Sequence, residues 1–94
     1  MSYNLEFKES ALKEWHKLDS PVREQFKKKL FKRLETPKVE ADKVSGMANT
    51  FKIKLRALGL RLVYVVDDET ATLIVYALGK RDKKMAYRKA KERI

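Results

Sequence analysis

Two apolar–basic alternations, placed back to back, restrict the fold of this chain more than any other feature in it. In FKIKLRALGLRLVY, Phe51, Ile53 and Leu55 take one side of an extended chain and Lys52, Lys54 and Arg56 the other, because successive strand side chains point to opposite faces. After a tight connection around Ala57 to Gly59 the pattern resumes, with Leu60, Leu62, Tyr64 and Val66 on the apolar side and Arg61 on the other. Two such runs joined by a short Gly-containing loop predict an antiparallel hairpin. The first strand carries a cation at every polar position. Like charges at neighbouring positions cost folding energy, so a face that keeps them without interspersed carboxylates suggests a bound anion.

The rest of the chain surrounds that hairpin with recognisable elements. Tyr3, Leu5 and Phe7 alternate with Asn4, Glu6 and Lys8, which predicts an opening strand. Ala11, Leu12, Trp15 and Leu18 then recur at helical spacing behind Ser10 as N-cap, and Asp19-Ser20-Pro21 breaks and restarts the helix with Ser20 as cap. In the second helix Val22, Phe26, Leu30 and Leu34 form the buried stripe, and Lys and Arg crowd the other faces. Thr36-Pro37 ends it. A polar connection from Pro37 to Thr50, with a turn at Ser45-Gly46, leads into the hairpin. Asp67-Asp68-Glu69-Thr70 makes the next turn, and Ala71 to Arg81 is a further strand whose LIVYAL run is apolar on both faces, as in the centre of a sheet. Lys83 to Ile94 reads as a short helix with Ala86, Ala90 and Ile94 on one side. The order predicts an α+β fold: an antiparallel-rich four-stranded sheet against an N-terminal helical hairpin, with a short C-terminal helix, in a single domain over residues 1–94.

Composition narrows the chemistry. The 94 residues hold 23 Lys plus Arg against 13 Asp plus Glu, a net charge of +10, which points to a polyanionic partner: nucleic acid, an anionic membrane or an acidic protein. The longest apolar run, Leu73 to Leu78, is far short of the roughly 18 residues of a spanning helix, and the N-terminus lacks a signal-peptide apolar core, so no membrane role is expected. The absence of cysteine removes thiolate catalysis, disulfides and Cys-based zinc sites, in keeping with a reducing cytoplasm, and a lone His16 makes no histidine cluster. No cofactor or metal is expected. Asp67, Asp68 and Glu69 read as turn residues, and Trp15 as core.

By strand parity, Arg61 joins Lys52 and Lys54, and the odd positions Leu73, Val75, Ala77 and Gly79 lead on one face to Arg81, with side chains shrinking toward the arginine. Three strands would then aim Lys52, Lys54, Arg61 and Arg81 into one shallow concavity, with Tyr87 or Arg88 at its rim. If the anion is RNA, cleavage by its 2′-hydroxyl needs a base, charge to steady the phosphorane, and a donor for the leaving 5′-oxygen. A lysine near pKa 10.4 must lose about 3 units, roughly 4 kcal/mol, to be half neutral at pH 7. One like charge about 7 Å away supplies about 2.4 kcal/mol at an effective dielectric of 20, so two such neighbours suffice. Lys54, flanked by Lys52 and Arg56, is therefore the base candidate, and Arg81 suits charge stabilisation.

The run VSGMANTFKIKLRALGLRLVY, then LIVYALGKRDK and a terminal helix with Tyr87, resembles the RelE family of ribosome-dependent mRNA interferases, toxins of type II toxin-antitoxin modules within the RelE/ParE superfamily. ALKEWHKLDSPVREQFKKKL is similar to the helical hairpin of that family, and the likeness runs nearly end to end. The resemblance implies a metal-independent endoribonuclease that cuts mRNA in the A site of the 70S ribosome and leaves a 2′,3′-cyclic phosphate. It implies Lys52 and Lys54 around the scissile phosphate, Lys54 as base, Arg61 and Arg81 as transition-state stabilisers or Arg81 as acid, and Tyr87 stacking on the mRNA. It further implies a RelB-type antitoxin that wraps the toxin and displaces the last helix, the pair repressing its own operator DNA. Leu60 departs from the tyrosine usual in the family before that arginine. Two other readings stand beside this one: a ParE-type toxin acting on DNA gyrase by protein contact, for which the catalytic set would be missing, and a non-catalytic basic module binding RNA or DNA.

Overall fold

A computed structural model describes residues 2–94. Strand β1 (Asn4–Phe7) is followed by helices α1 (Glu9–His16) and α2 (Ser20–Glu35), a 3-10 turn at Glu40–Asp42, the hairpin strands β2 (Thr50–Leu55) and β3 (Leu60–Asp67), strand β4 (Thr72–Lys80) and helix α3 (Met85–Arg93). The sheet order is β1-β4-β3-β2. The expected hairpin pairs β2 with β3 antiparallel, and β4 runs antiparallel to β3. β1 pairs with β4 in parallel, so the sheet is mixed at that edge. As the LIVYAL run implies, β4 is an interior strand.

Two layers flank the sheet. On one side, Ala11, Phe26 and Leu30 of the helical pair close on Phe51, Ile53, Leu55, Leu62, Tyr64, Val66, Leu73, Val75 and Leu78. Phe7, Trp15 and Phe26 form an aromatic line at its edge, with centroids 5.2 and 6.4 Å apart, within the range where tilted rings attract. Val22 and Leu34 complete the α2 stripe as partly buried flanks. On the other side Val63 and Ala77 meet Ala86 and Ala90 of α3.

Several local expectations shift. α1 starts at Glu9 with Lys8 as N-cap, displacing Ser10, and α2 starts at Ser20 with Asp19 as N-cap, because extended backbone persists to those positions. Leu12 stays 38% exposed, since it lies about 100° round α1 from Ala11, the residue that faces the core. Ile94 lies beyond the last turn of α3 and is exposed, leaving Ala86 and Ala90 to seat the helix. Arg56 does not continue β2. The strand ends at Leu55 and Arg56 opens a 3-10 turn that Gly59 closes in left-handed geometry (φ 64°), which glycine adopts without a Cβ penalty.

The larger correction concerns β4. Tyr64 pairs with Val75, but the next residue back, Val63, pairs with Ala77, so Tyr76 is an extra residue. Such a bulge reverses side-chain parity beyond it. Leu73 and Val75 face the helical pair, whereas Ala77 faces α3 and Gly79 lies against Ala86. The odd positions of β4 therefore do not share one face.

Candidate functional site

Cross-strand register sets the site. Lys54 lies opposite Arg61, which lies opposite Gly79, and Lys52 lies opposite Val63, which lies opposite Ala77. Directly paired residues project to the same side of a sheet, so Lys52, Lys54 and Arg61 share the face on which α3 sits. The bulge brings Ala77 and Gly79 to that face, and their small size lets α3 approach. A Cβ on Gly79 would stand 3.3 Å from the Ala86 nitrogen. α3 in turn carries Tyr87, whose ring centre is 5.9 Å from Lys52 Nζ, a cation–π distance.

Between α3 and the connection before β2 lies an open groove of about 480 Å³, lined by Val44 to Met47, Lys52, Lys84, Tyr87, Arg88 and Lys91. Lys52 and Tyr87 thus meet as expected, with Arg88 alongside. The expected single concavity is divided, however. Lys54 borders a separate hollow of about 250 Å³ with Gln25, Lys29 and the 56–58 turn. Because β2 is the edge strand, the Lys54 stem reaches round the sheet edge toward α2 and ends 3.9 Å from Asp42. Arg61 donates to the Leu60 carbonyl (2.9 Å). Arg81 follows the end of β4, donates its amide to the Gly59 carbonyl (2.8 Å), and rests its side chain beside Gly59.

Asp42 escaped sequence reading, since nothing in a polar connection marks one acid as a partner of a strand lysine. It is held by Arg33, whose guanidinium also donates to the Tyr64 hydroxyl (2.9 Å) and the Lys52 carbonyl (3.2 Å). The buried Tyr64 hydroxyl donates to the Pro37 carbonyl (2.6 Å). Burial pushes the Tyr64 phenol up, and Arg33 only partly offsets this. With Arg56 out of the strand and Asp42 beside Lys54, repulsion around that lysine is partly replaced by attraction.

Glu14 was also missed. Its carboxylate accepts from the Leu78 amide (3.1 Å), Lys89 (2.7 Å) and Arg93 (2.9 Å), tying α1, β4 and α3 together. The signal for it was the i, i+4 pair Lys89 and Arg93, two cations that one carboxylate can bridge. His16 is exposed at the end of α1, and its carbonyl accepts from Arg23. Asp67 accepts the Glu69 and Thr70 amides in its turn, while Asp68 pairs with Lys38 and accepts from Tyr3. Bonds from Lys38 and Tyr3 hold the exposed Asp68 carboxyl below its usual range.

Residues 5–85 match the family model described as the ParE toxin of the type II toxin-antitoxin system parDE. The mRNA interferase toxin RelE of Escherichia coli K12 is 53% identical over 94 residues, covering all of this chain and 99% of that protein. A putative RelE-like toxin protein of Escherichia coli is 47% identical over the same span. A double mutant of E. coli toxin RelE in the free state superposes with a TM-score of 0.93 at 52% identity, covering 100% of this chain and 99% of the other. RelE in the intact E. coli RelBE toxin-antitoxin complex gives 0.83 at 56% identity over 84% of this chain and 96% of that one.

Proposed function

The chain belongs to the ParE toxin family of type II toxin-antitoxin systems and stands with its RelE members, and from that premise we propose that it is an mRNA interferase cutting mRNA in the ribosomal A site. The observation that carries the reading is the sharing of one sheet face by Lys52, Lys54 and Arg61, with the Tyr87 ring 5.9 Å from Lys52. The cations surround a phosphodiester and the phenol meets a base.

In the proposed reaction the RNA 2′-hydroxyl gives its proton to Lys54 and its oxygen attacks the adjacent phosphorus. The bond to the 5′-oxygen breaks, and that oxygen takes up a proton from Arg81 or from water, leaving a 2′,3′-cyclic phosphate and a 5′-hydroxyl, while Lys54 later returns the 2′-hydroxyl proton to solvent. Lys52, Arg61 and Arg81 stabilise the extra negative charge of the phosphorane, Arg61 and Arg81 by planar guanidinium forks. Tyr87 stacks on a base and holds the strand in line. The chemistry asks for charge and orientation, and orientation alone is worth on the order of 7 kcal/mol or more, which a ribosome holding the mRNA supplies. The same reading gives the protein a RelB-type antitoxin as inhibitor, operator DNA as a partner only through that complex, and a place in the cytoplasm with its ribosome. The relative solved as the RelBE toxin-antitoxin complex supports the antitoxin.

Primer extension on a defined mRNA in a purified translation system, with and without ribosomes, tests the proposal. Cuts confined to the A-site codon and abolished by Arg81→Ala are expected. The ParE description of the matched model makes gyrase the control target: inhibition of supercoiling by both proteins, with intact mRNA, would replace the nuclease reading.

A further inference from the structure

Three cations that line the groove have no part in the chemistry above. Arg88 and Lys91, three residues apart, share one face of α3, and Lys84, which caps the N-terminus of that helix, lines the same groove and extends their row. At 1.5 Å per residue that row is about 10 Å long, while a nucleic-acid strand in a duplex advances about 3.4 Å per nucleotide. The row is longer than one internucleotide step. It continues from Lys52 and Tyr87 and runs beside apolar groove residues Val44 and Met47.

The groove lacks acids, whereas several cations elsewhere are paired. Lys13 pairs with Glu9, Lys27 with Glu24, Lys38 with Asp68, and Lys89 and Arg93 with Glu14. Among the described residues no ion pair involves Lys52, Lys84, Arg88 or Lys91, and no Asp or Glu lines the groove. Lys84 also holds a left-handed backbone (φ 53°), which a glycine or asparagine would adopt at less cost. Four unneutralised cations around one groove repel one another, and a polyanion threaded between them removes that repulsion.

We propose that Lys84, Arg88 and Lys91 form a second anion subsite, which binds phosphodiesters of single-stranded RNA flanking the linkage that is cut. This rests on the cleavage reading above and adds that the strand continues along α3. The cations hold the strand by charge, and the apolar residues beside them accept sugar or base surface without reading sequence.

Single-turnover cleavage on programmed ribosomes tests it. Each mRNA carries one neutral methylphosphonate at a linkage flanking the scissile phosphate, with a 2′-deoxy sugar beside it to prevent self-cleavage. The control mRNA has the same deoxy sugar and an ordinary phosphate. For the parent protein, at least one neutral flanking linkage slows cutting by about threefold or more, the scale of a surface charge contact. For the triple variant Lys84→Gln, Arg88→Gln, Lys91→Gln, that mRNA and its control are cut at equal, lower rates. All three side chains are exposed, and glutamine suits the helical positions 88 and 91 and replaces one unbranched side chain by another at 84, so the thermal midpoint stays near that of the parent. Indifference of the parent to every flanking linkage overturns the subsite. So does an undiminished loss in the variant, which puts the contact elsewhere. Equal slowing of the variant on all mRNAs, with the linkage effect retained, assigns the row to ribosomal RNA instead. Failure of the parent to cut even the control mRNA defeats the cleavage reading itself.

Discussion

Glu14 is 19% exposed and takes two cations and a backbone amide. Burial pushes its carboxyl up, but the bonds from Arg93, Lys89 and the Leu78 amide outweigh burial and hold it below its ordinary value of 4.5. A group depressed in this way contributes stability that is present above its unfolded value and lost as pH falls through the folded one. Glu14→Gln should therefore cost about 1.5–3 kcal/mol at neutral pH, the scale of charged hydrogen bonds. In thermal unfolding series the gap between parent and variant should begin to close as pH falls below 4.5 and go on closing as the depressed folded carboxyl is protonated. A constant gap would disconnect Glu14 from ionic bonding. Tyr87 offers a separate test at this scale. Base stacking on an aromatic is worth about 1–3 kcal/mol, so Tyr87→Ala should slow cleavage by about tenfold or more, and Tyr87→Phe should recover most of the rate.

Among the elements, α3 is held differently from α1 and α2. The helical pair buries Phe26 and Leu30 against the sheet, whereas α3 sits on Ala86 and Ala90 over Ala77 and Gly79. Small residues give close approach but little area, and area sets hydrophobic stabilisation. Its remaining anchors are polar: Lys89 and Arg93 donate to Glu14 and to the Leu78 and Tyr76 carbonyls. α3 is accordingly an element that substitution can lift. Gly79→Val would press its side chain on the Ala86 backbone, already 3.3 Å from a bare Cβ. Amide exchange across Ala86–Ala90 should then rise at least about tenfold, while the β2–β3 hairpin keeps its protection. Uniform loss of protection would contradict this division of anchors.

Across the whole molecule, a charge of +10 spread over 94 residues acts in two directions. It opposes compactness through self-repulsion and draws the protein to RNA. Added salt screens both, with a Debye length falling to about 8 Å at 0.15 M. Between roughly 20 and 200 mM monovalent salt, the thermal midpoint should rise slightly while kcat/KM for ribosome-bound mRNA falls by an order of magnitude or more, as for ligands that release several counterions. Parallel unfolding and cleavage measurements in one salt series check both. A midpoint that fell along with the rate would mean that the ion pairs outweigh the repulsion.

Much of this protein can be read along the chain because its strands and helices are written in short-range periodicity. The two alternations of Phe51–Val66 specify the hairpin, and with it the common face of Lys52, Lys54 and Arg61. The four-residue stripe from Val22 to Leu34 specifies α2, and the LIVYAL run specifies an interior strand. Alternation loses its power where register slips: the extra residue at Tyr76 turns Ala77 and Gly79 toward α3, and no local feature of LIVYAL announces it. Partners distant in sequence are equally invisible, as with Asp42 at Lys54 and Glu14 at Lys89 and Arg93. A residue's side of its own element is a local property of the backbone. Which hollow its side chain reaches, and which charge it meets there, depends on how separate elements are laid together, so those were settled only in three dimensions.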